Sequence, residues 1–339
     1  MTAKRNSWSV SGELCCLCIV LAQFAFAAPV EAKGTFTILP AGTAAYSIND
    51  SGVVAGAEAS GLSFVRTPDG TITTFKAADG AAITRALSIN SSGVVTGDYL
   101  EAGVGHGFVR AVDGTITSFD VPDAGQQATE PVSINAQGVI AGYYVDQLGH
   151  PHGFVRTTDG AITTFEVPGA IATIAFGIND KGDIVGGWTD SLGHGFVRSA
   201  KGKITSFDVP EGALGTEGDA INKKGVITGY YLDQADRAHG YIRQPDGTFT
   251  TFDAAGTDTV PGAINAKGTV VGDYDVNVSQ HVQGFSRSPS GKLKTIKQPN
   301  SNGGTFANSI NIDGVVAGYF LTRPDRHTPY TSYGYIWTP

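Results

Sequence analysis

The chain has 339 residues, 46 of them glycine, and only 16% are charged, which favours many short strands joined by turns over helices or disorder. The formal net charge of -8 and the pI near 5.3 argue against nucleic acid or an anionic membrane as partner, because both require a basic surface.

The N-terminus has the pattern of a secretory signal. Lys4 and Arg5 precede an apolar run that extends from Leu14 to Ala27 and ends in Ala-Phe-Ala, a small-residue cleavage site. The run is shorter than the about 20 residues of a membrane-spanning helix. We therefore predict that residues 1–27 are removed, and that residues 28–339 form a secreted bacterial protein, periplasmic or extracellular, without a membrane span. All three cysteines lie in the removed segment, so the mature chain has no disulfide.

Residues 34–39, GTFTIL, look like the last strand of a repeat that has no unit in front of it. The complete units follow and share the pattern N-x-x-G-x-(V/I)-x-G. This pattern starts at Asn49, Asn90, Asn135, Asn179, Asn222, Asn265 and Asn311. The steps of 41 to 46 residues are typical of four-stranded propeller blades and longer than those of ankyrin or tetratricopeptide repeats.

The third unit shows the predicted strands in chain order. They are SIN (133–135), VIAGYY (139–144), HGFVR (152–156) and AITTFEV (161–167). Gly138 and Gly160 close two tight turns that require positive φ, which predicts an antiparallel meander. The other two connections are long and variable, and they meet at the opposite end of the unit, here called the long-loop face.

The seventh unit ends at Pro339 without a fourth strand, and residues 34–39 supply the missing one. A blade built from both chain ends closes a ring. The sequence thus predicts an all-β, seven-bladed β-propeller of four-stranded antiparallel blades, in which the N-terminal strand completes the last blade. The units start near residues 45, 86, 131, 175, 218, 261 and 307.

The third and fourth strands resemble the HAF-type bacterial extracellular repeat proteins. The motif His-Gly-(Phe/Tyr)-(Val/Ile)-Arg begins at His106, His152, His194 and His239, and weaker copies begin at Leu62, Gln283 and Tyr333. The sequence departs from that family by Gly in place of Ala and by Arg in place of Trp, which only Trp337 keeps. The resemblance implies secretion and a repeat fold, and it carries over no activity or catalytic residue.

The four repeated histidines are candidate ligand-binding residues. Strand spacing places equivalent histidines of neighbouring blades about 10 Å apart or more, too far to share one zinc ion. We expect each to pack beside the aromatic residue two positions on and to bond a loop carbonyl or one of Asp146, Asp190 and Asp233. His150 and His152 share a loop, but the sequence shows no third ligand there, so no metal site is predicted.

An aromatic series on the second strands is the other candidate binding set. It comprises Tyr99, Tyr144, Trp188, Tyr231, Tyr274 and Phe320, and Glu58 interrupts it. These residues lie near the long-loop face, where aromatic rings can stack on sugars or peptides. They also share strand parity with the core valines and isoleucines, so packing between blades is the alternative. The repeated asparagines are expected to form turns, and the repeated arginines to pair with the aspartates of the tight turns.

Two further chemistries are considered. Asp273, Asp275 and Asn277 resemble the opening of a calcium loop, but the glycine and the final acid of that loop are missing. No nucleophile elbow, phosphate loop or dinucleotide fingerprint is present. Acidic residues in the predicted long loops leave open a hydrolase or lyase, and they are Glu101, Asp123, Asp146, Asp190, Glu211, Glu217 and Asp233.

The leading functional prediction is a non-enzymatic recognition propeller, without cofactor, that binds a carbohydrate or a protein surface at the long-loop face. A polysaccharide-active hydrolase or lyase and a scaffold without a small ligand are the alternatives. The sequence leaves the oligomeric state open.

Overall fold

The computed structural model describes residues 30–31, 34–122, 124–276 and 282–339, so the predicted signal segment lies outside the described residues. These described residues form strands and turns and contain no helix. Accordingly, this part of the chain offers no helix that is long and apolar enough to cross a membrane. The all-β class predicted from the turn-rich composition is confirmed.

The strands fall into repeated sets of four, here called units one to seven in chain order. The first strands are Thr43–Ile48, Ala81–Ile89, Ala124–Ile134, Ala172–Ile178, Gly215–Ile221, Thr257–Ile264 and Gly304–Ile310. The second strands are Val54–Glu58, Val95–Glu101, Ile140–Asp146, Ile184–Thr189, Ile227–Leu232, Val270–Asp275 and Val316–Thr322.

The outer two strands of each unit are shorter on average. The third strands are Ser63–Arg66, Val104–Arg110, Pro151–Arg156, Gly193–Arg198, Ala238–Arg243, Val282–Arg287 and Thr331–Thr338. The fourth strands are Ile72–Phe75, Ile116–Phe119, Ile162–Phe165, Ile204–Phe207, Phe249–Phe252 and Leu293–Ile296, and Thr35–Ala41 occupies this position in unit seven. Neighbouring strands pair antiparallel throughout each unit.

The two ends of the chain share one sheet, since Thr35–Ala41 pairs antiparallel with Thr331–Thr338. Units four and five form one eight-stranded sheet that is joined by a single parallel bridge between Gly193 and Gly215. An unpredicted two-residue strand, Val30–Glu31, pairs parallel with the fourth strand of unit six.

The units surround a central axis, because each first strand packs against the first strands of both neighbouring units and that of unit seven contacts that of unit one. Apolar side chains fill the spaces between successive units. Between units one and two, for example, Ala55 and Val65 pack against Ile89, Val95 and Phe108. This arrangement is that of a β-propeller, with the core between the sheets and the first strands around the axis.

A ring of asparagine side chains encircles the axis at the tight-turn end. As predicted, each Oδ1 accepts bonds within its own turn; Asn135 Oδ1, for instance, accepts from the backbone N–H of Gln137 and Val139. In addition, each Nδ2 donates to the backbone carbonyl of the next asparagine. The seven links run 49→90, 90→135, 135→179, 179→222, 222→265, 265→311 and 311→49, at 3.0, 3.2, 3.1, 3.3, 3.0, 2.9 and 3.5 Å.

Every first strand contains a buried threonine. These residues are Thr43, Thr84, Thr129, Thr173, Thr216, Thr259 and Thr305, each at most 3% exposed. In six units the hydroxyl accepts a bond from the backbone N–H of the segment that leads in from the preceding unit, and in unit one from Gly334. The threonines therefore tie consecutive units together.

A bulge near the middle of each first strand explains the repeated glycine of the second strand. In unit three the register shifts between Pro131 and Ser133, which leaves Val132 without a partner. A Cβ at Gly142 would stand 2.1 Å from the carbonyl oxygen of Glu130. Equivalent approaches occur in all seven units, so this glycine is required by sterics.

Two predictions about the units were wrong. The first strands extend well before the Ser-Ile-Asn tripeptide, so Glu217, expected in a long loop, lies within a first strand. None of the repeated arginines has an ion pair within the described chain. Five stack instead on a phenylalanine of the preceding unit, as Arg156 does on Phe119 with 4.7 Å from the guanidinium carbon to the ring centre.

Candidate functional site

The side chains that line the central channel come from two positions of each first strand. The residue after the repeated threonine and the bulge residue are partly or fully exposed, whereas the residue between them is buried in every unit. Because the first strands surround the axis, their partly exposed side faces the channel. On the second strand the residue after the repeated glycine pairs with the first of these positions, as Tyr143 does with Glu130.

These channel positions differ from unit to unit, and their polar residues form distinct groups. In unit two, Arg85 donates to both oxygens of Asp98, with its shortest contact 2.7 Å from Nη2 to Oδ2. In unit three, Tyr143 donates to Glu130 Oε2 at 2.7 Å, and Arg85 Nη2 lies 3.9 Å from the same oxygen. We call these four residues the mouth cluster.

The mouth cluster opens into a cavity of about 630 Å³ at the long-loop face. Loop glycines Gly103 and Gly149 form part of its wall. Ile83 and Leu100 also line it, and their side chains are exposed at 48% and 38%. A few convergent polar groups beside exposed apolar side chains are the usual composition of a ligand site.

In the mouth cluster, burial favours the neutral form of an ionisable group unless a partner of opposite charge stabilises the charged form. Burial raises the pKa of Asp98, although the bonds from Arg85 oppose this shift. The Asp98 carboxylate in turn raises the pKa of Arg85 by hydrogen bonding. Burial and the bond to Glu130 raise the pKa of Tyr143 well above its usual range. Tyr143 is therefore a hydrogen-bond donor at neutral pH.

A second polar group, here called the acid pair, consists of Glu217 and Asp219 in unit five. The register shift between Gly218 and Ala220 makes Asp219 the bulge residue, so Glu217 and Asp219 both lie on the channel side of the strand, and their carboxyls are close enough to share a hydrogen bond when one of them is protonated. Tyr230 donates to Glu217 Oε2 at 3.3 Å. Burial raises the pKa of both acids, and the neighbouring Glu217 carboxylate raises that of Asp219 further.

A third acid lines the channel in unit six. Burial raises the pKa of Asp273 to about 7, although its carboxylate accepts a bond from the backbone N–H of Ala307 at 2.8 Å. Asp273 and Asp275 begin the segment considered for calcium, and Asn277 lies outside the described residues. Within the described chain, no group of three or more histidine, cysteine, aspartate or glutamate side chains is arranged to hold a metal ion.

The predicted aromatic series lies inside the blades. Tyr99, Tyr144, Tyr231 and Tyr274 are 3 to 9% exposed, and Trp188 packs in the core between units three and four. The structure pairs four of these rings with the predicted histidines. Ring centres are 5.0 Å apart for Tyr99–His106, 5.2 Å for Tyr144–His152, 4.4 Å for Trp188–His194 and 5.0 Å for Tyr231–His239.

The four aromatic–histidine pairs differ from the sequence prediction in the ring on which each histidine packs, and they agree with it in the loop carboxylates that the histidines contact. Each histidine stacks on the aromatic ring of the second strand instead of packing beside the aromatic residue two positions on. The expected loop carboxylates are in contact, with His152, His194 and His239 at 3.3, 3.4 and 3.3 Å from Asp146, Asp190 and Asp233. Asp120, Glu166, Asp208 and Asp253, which follow the fourth strands, approach the other ring nitrogen at 2.8, 3.7, 2.9 and 2.7 Å.

The loop aspartates are held as anions. Backbone N–H groups of the loop, with help from the adjacent histidine, lower the pKa of Asp146 and of Asp190 to about 2. Burial lowers the pKa of His239, but the hydrogen bonds that its ring donates to Asp253 and Asp233 outweigh this effect, and the net pKa is raised. These contacts fasten the long loops to the outer strands.

Sequence reasoning missed most of the residues that line the channel, and it named Glu217 and Asp273 only as a loop acid and as part of a calcium-like segment. Arg85, Asp98 and Glu130 were not singled out, because the inner part of the first strand does not repeat in sequence. A usable signal existed: the position after the repeated glycine of the second strand is occupied by Ala, Asp, Tyr or Gly, whereas both its neighbours are constrained. Its occupants are Ala57, Asp98, Tyr143, Gly187, Tyr230, Asp273 and Tyr319.

The ring of meanders and its lined axial channel define the chain as a β-propeller. No protein-family model and no curated protein matches the sequence. Among solved structures, virginiamycin B lyase from Staphylococcus aureus is similar, with a TM-score of 0.63 and 16% identity over 91% of this chain and 99% of that one. A streptogramin B lyase has a TM-score of 0.61 and 14% identity over 89% and 97%. TolB from Acinetobacter baumannii has a TM-score of 0.52 and 14% identity over 76% and 64%.

At these identities the likeness shows the fold alone. The propeller architecture predicted from the repeat is therefore confirmed.

Proposed function

We propose that the chain is an exported seven-bladed propeller of the HAF-type repeat family that binds carbohydrate at the long-loop end of its channel. The count of seven is supported by the seven links of the asparagine ring and by the seven first strands around the axis. The eight-stranded sheet divides into two blades at its single bridge.

Export rests on the N-terminal signal pattern. In this proposal residues 1–27 are cleaved and residues 28–339 are the single mature domain, located in the periplasm or outside the cell. The acidic pI supports a partner other than nucleic acid.

The observation that carries the binding function is the mouth cluster in its cavity. A guanidinium, two carboxylates and a phenol are fixed by their mutual bonds and still face a space of about 630 Å³. Fixed polar groups of both donor and acceptor type suit the hydroxyls of a sugar, and the exposed Ile83 and Leu100 suit its apolar face. The aromatic–histidine pairs serve this site indirectly, because they hold the loops around it.

A glycan array with the mature domain, followed by calorimetry on the strongest binder, tests the proposal. Arg85→Gln and Glu130→Gln each remove hydrogen bonds to a charged group, worth about 1.5–3 kcal/mol. We expect each to weaken binding about tenfold or more. Arg237→Gln and Glu211→Gln, which alter exposed loop charges, are the matched controls. Glycans whose affinity is unaffected by the two mouth variants would contradict the site, and an array without binders would contradict the function.

A polysaccharide lyase is the second candidate. It is favoured by the raised pKa of several acids in the channel, since general acids and bases are tuned in this way. The two carboxyls of the acid pair interact directly, whereas those of a glycosidase are about 5 Å or more apart, so this pair does not favour hydrolysis. Incubation with acidic polysaccharides, followed by the ultraviolet absorbance of unsaturated products, distinguishes a lyase from a binding protein.

A further inference from the structure

The acid pair lacks a cationic partner. Neither Glu217 nor Asp219 forms an ion pair with a basic side chain within the described residues. Asp219 Oδ2 is buried and has no hydrogen-bond partner. Two carboxyls in contact cannot both be ionised without a large penalty, so the pair must hold a proton or a bound cation.

An aromatic cavity lies beside Glu217. It has a volume of about 60 Å³, and Glu217, Phe176, Trp188 and His194, which stacks on Trp188, are among the residues that line it. Gly187 makes room for it, because this glycine occupies the position where the other units carry larger residues, and a Cβ there would stand 3.3 Å from Glu217 Cγ. A space of this size accommodates one small group, such as a water molecule or an ammonium.

Aromatic rings next to a carboxylate are the chemistry that recognises an ammonium group. The ring faces attract a cation through their quadrupole, and the attraction grows when water is excluded. A carboxylate supplies the counter-charge and a charge-assisted hydrogen bond. Tyr230 bonds Glu217 and holds its carboxyl in place.

We propose that the acid pair and this cavity bind a primary ammonium group of the ligand, so that the preferred carbohydrate is an amino sugar. The inference rests on the proposed carbohydrate-binding function and names its substrate class. The mouth cluster then contacts hydroxyl groups of the sugar from units two and three, while the acid pair binds its ammonium group from unit five.

Binding in this mode displaces a proton. Before binding, the pair shares one proton and has a net charge of -1. When the ammonium takes its place, the second carboxyl ionises and the proton leaves to solvent. No covalent bond of the ligand forms or breaks.

The test compares a chitosan tetrasaccharide, which carries free amines, with the fully N-acetylated tetrasaccharide of the same length. Calorimetry near pH 6 in two buffers of different ionisation enthalpy measures affinity and proton release together. We expect the free-amine ligand to bind at least tenfold tighter and to release close to one proton. Glu217→Gln and Asp219→Asn keep the shape of the pair, and each is expected to abolish this preference and the proton release.

Glu130→Gln is the control, because it lowers affinity for both ligands and leaves their ratio unchanged. Equal affinity of the two tetrasaccharides, or an amine preference that survives both acid-pair variants, would overturn the inference. If N-acetylated or neutral glycans still bind in an Arg85-dependent way, the proposed function stands without it. If methylammonium alone binds the acid pair while no glycan binds, the ammonium site stands and the carbohydrate function fails.

Discussion

Substitutions in the asparagine ring can separate two contributions to the free energy of unfolding, that of the links between units and that of the hydrogen bonds within the turns. Asn265 and Asn311 are both buried and both use Oδ1 to accept two turn bonds. Their Nδ2 links differ, at 2.9 Å from Asn265 to the next carbonyl and 3.5 Å from Asn311. Replacement by aspartate keeps the turn acceptor and removes the donor of the link.

The magnitudes follow from these distances. Asn265→Asp removes a well-formed bond and leaves a carboxylate oxygen facing a buried carbonyl, at a cost of about 2–3 kcal/mol. The link of Asn311 is at the limit of hydrogen bonding, so Asn311→Asp should cost about 1 kcal/mol. Either alanine variant loses the turn bonds too, and should cost about 3–4 kcal/mol.

Urea unfolding of the mature domain measures the four variants against wild type. With an m-value of about 3 kcal/mol/M, a loss of 2 kcal/mol lowers the midpoint by roughly 0.7 M. The reasoning is refuted if Asn265→Asp is as stable as wild type, or if it matches Asn311→Asp. In the first case the links around the axis would contribute nothing measurable beyond the turns, and in the second their contribution would not depend on the length of the link.

Three further predictions concern the repeated contacts. Thr216→Val leaves the buried N–H of Val209 without a hydrogen-bond partner, so the free energy of unfolding should fall by about 1–3 kcal/mol in the same assay. Thr216→Ser should stay close to wild type, and equal losses for the two variants would contradict the role of the hydroxyl. Gly142→Ala drives a Cβ into the carbonyl of Glu130 and should cost about 3 kcal/mol or more, whereas Gly149→Ala, at φ +90° with no atom within 4 Å, should cost about 1 kcal/mol. Because the pKa of His239 is raised in the folded state, its charged form stabilises the fold. This stabilisation is fully present below the unfolded pKa of about 6.5 and is lost as the pH rises through the folded pKa. The unfolding free energy of wild type should therefore exceed that of His239→Gln at pH 5.5, and the difference should disappear by pH 8.5.

The sequence predicts the elements that every unit repeats, because each repeat solves the same steric problem. Gly138 and Gly160 close the two tight turns of unit three with φ of +83° and +92°, as predicted. The paired ends of the chain also follow from the pattern, since an unpaired fourth strand and an incomplete unit are visible in the sequence. The likeness to solved propellers then confirms the architecture.

The candidate site was not predictable in the same way. Sequence periodicity does not show which residues of an irregular strand face a channel, and the bulge shifts the register within each first strand. Arg85 and Asp98 are 13 residues apart and meet only because their strands pair across that bulge. The series Tyr99 to Tyr274 was visible because it repeats, and it repeats because it packs the interior.

In this propeller the repeated residues therefore lie within and between the blades, whereas the residues proposed to bind the ligand lie around the channel. The asparagines, threonines, glycines, arginines and aromatic–histidine pairs each have a structural partner within their own or an adjacent unit, which accounts for their recurrence. The side chains that face the channel are not needed for any of these contacts, and their combination varies around the ring, although units three and five share a glutamate–tyrosine pair. An asymmetric ligand in a pseudo-symmetric ring requires this arrangement, because identical residues in every unit would present the same group in each direction. Selectivity should consequently change when channel residues are exchanged between units, while stability should depend on the repeated set.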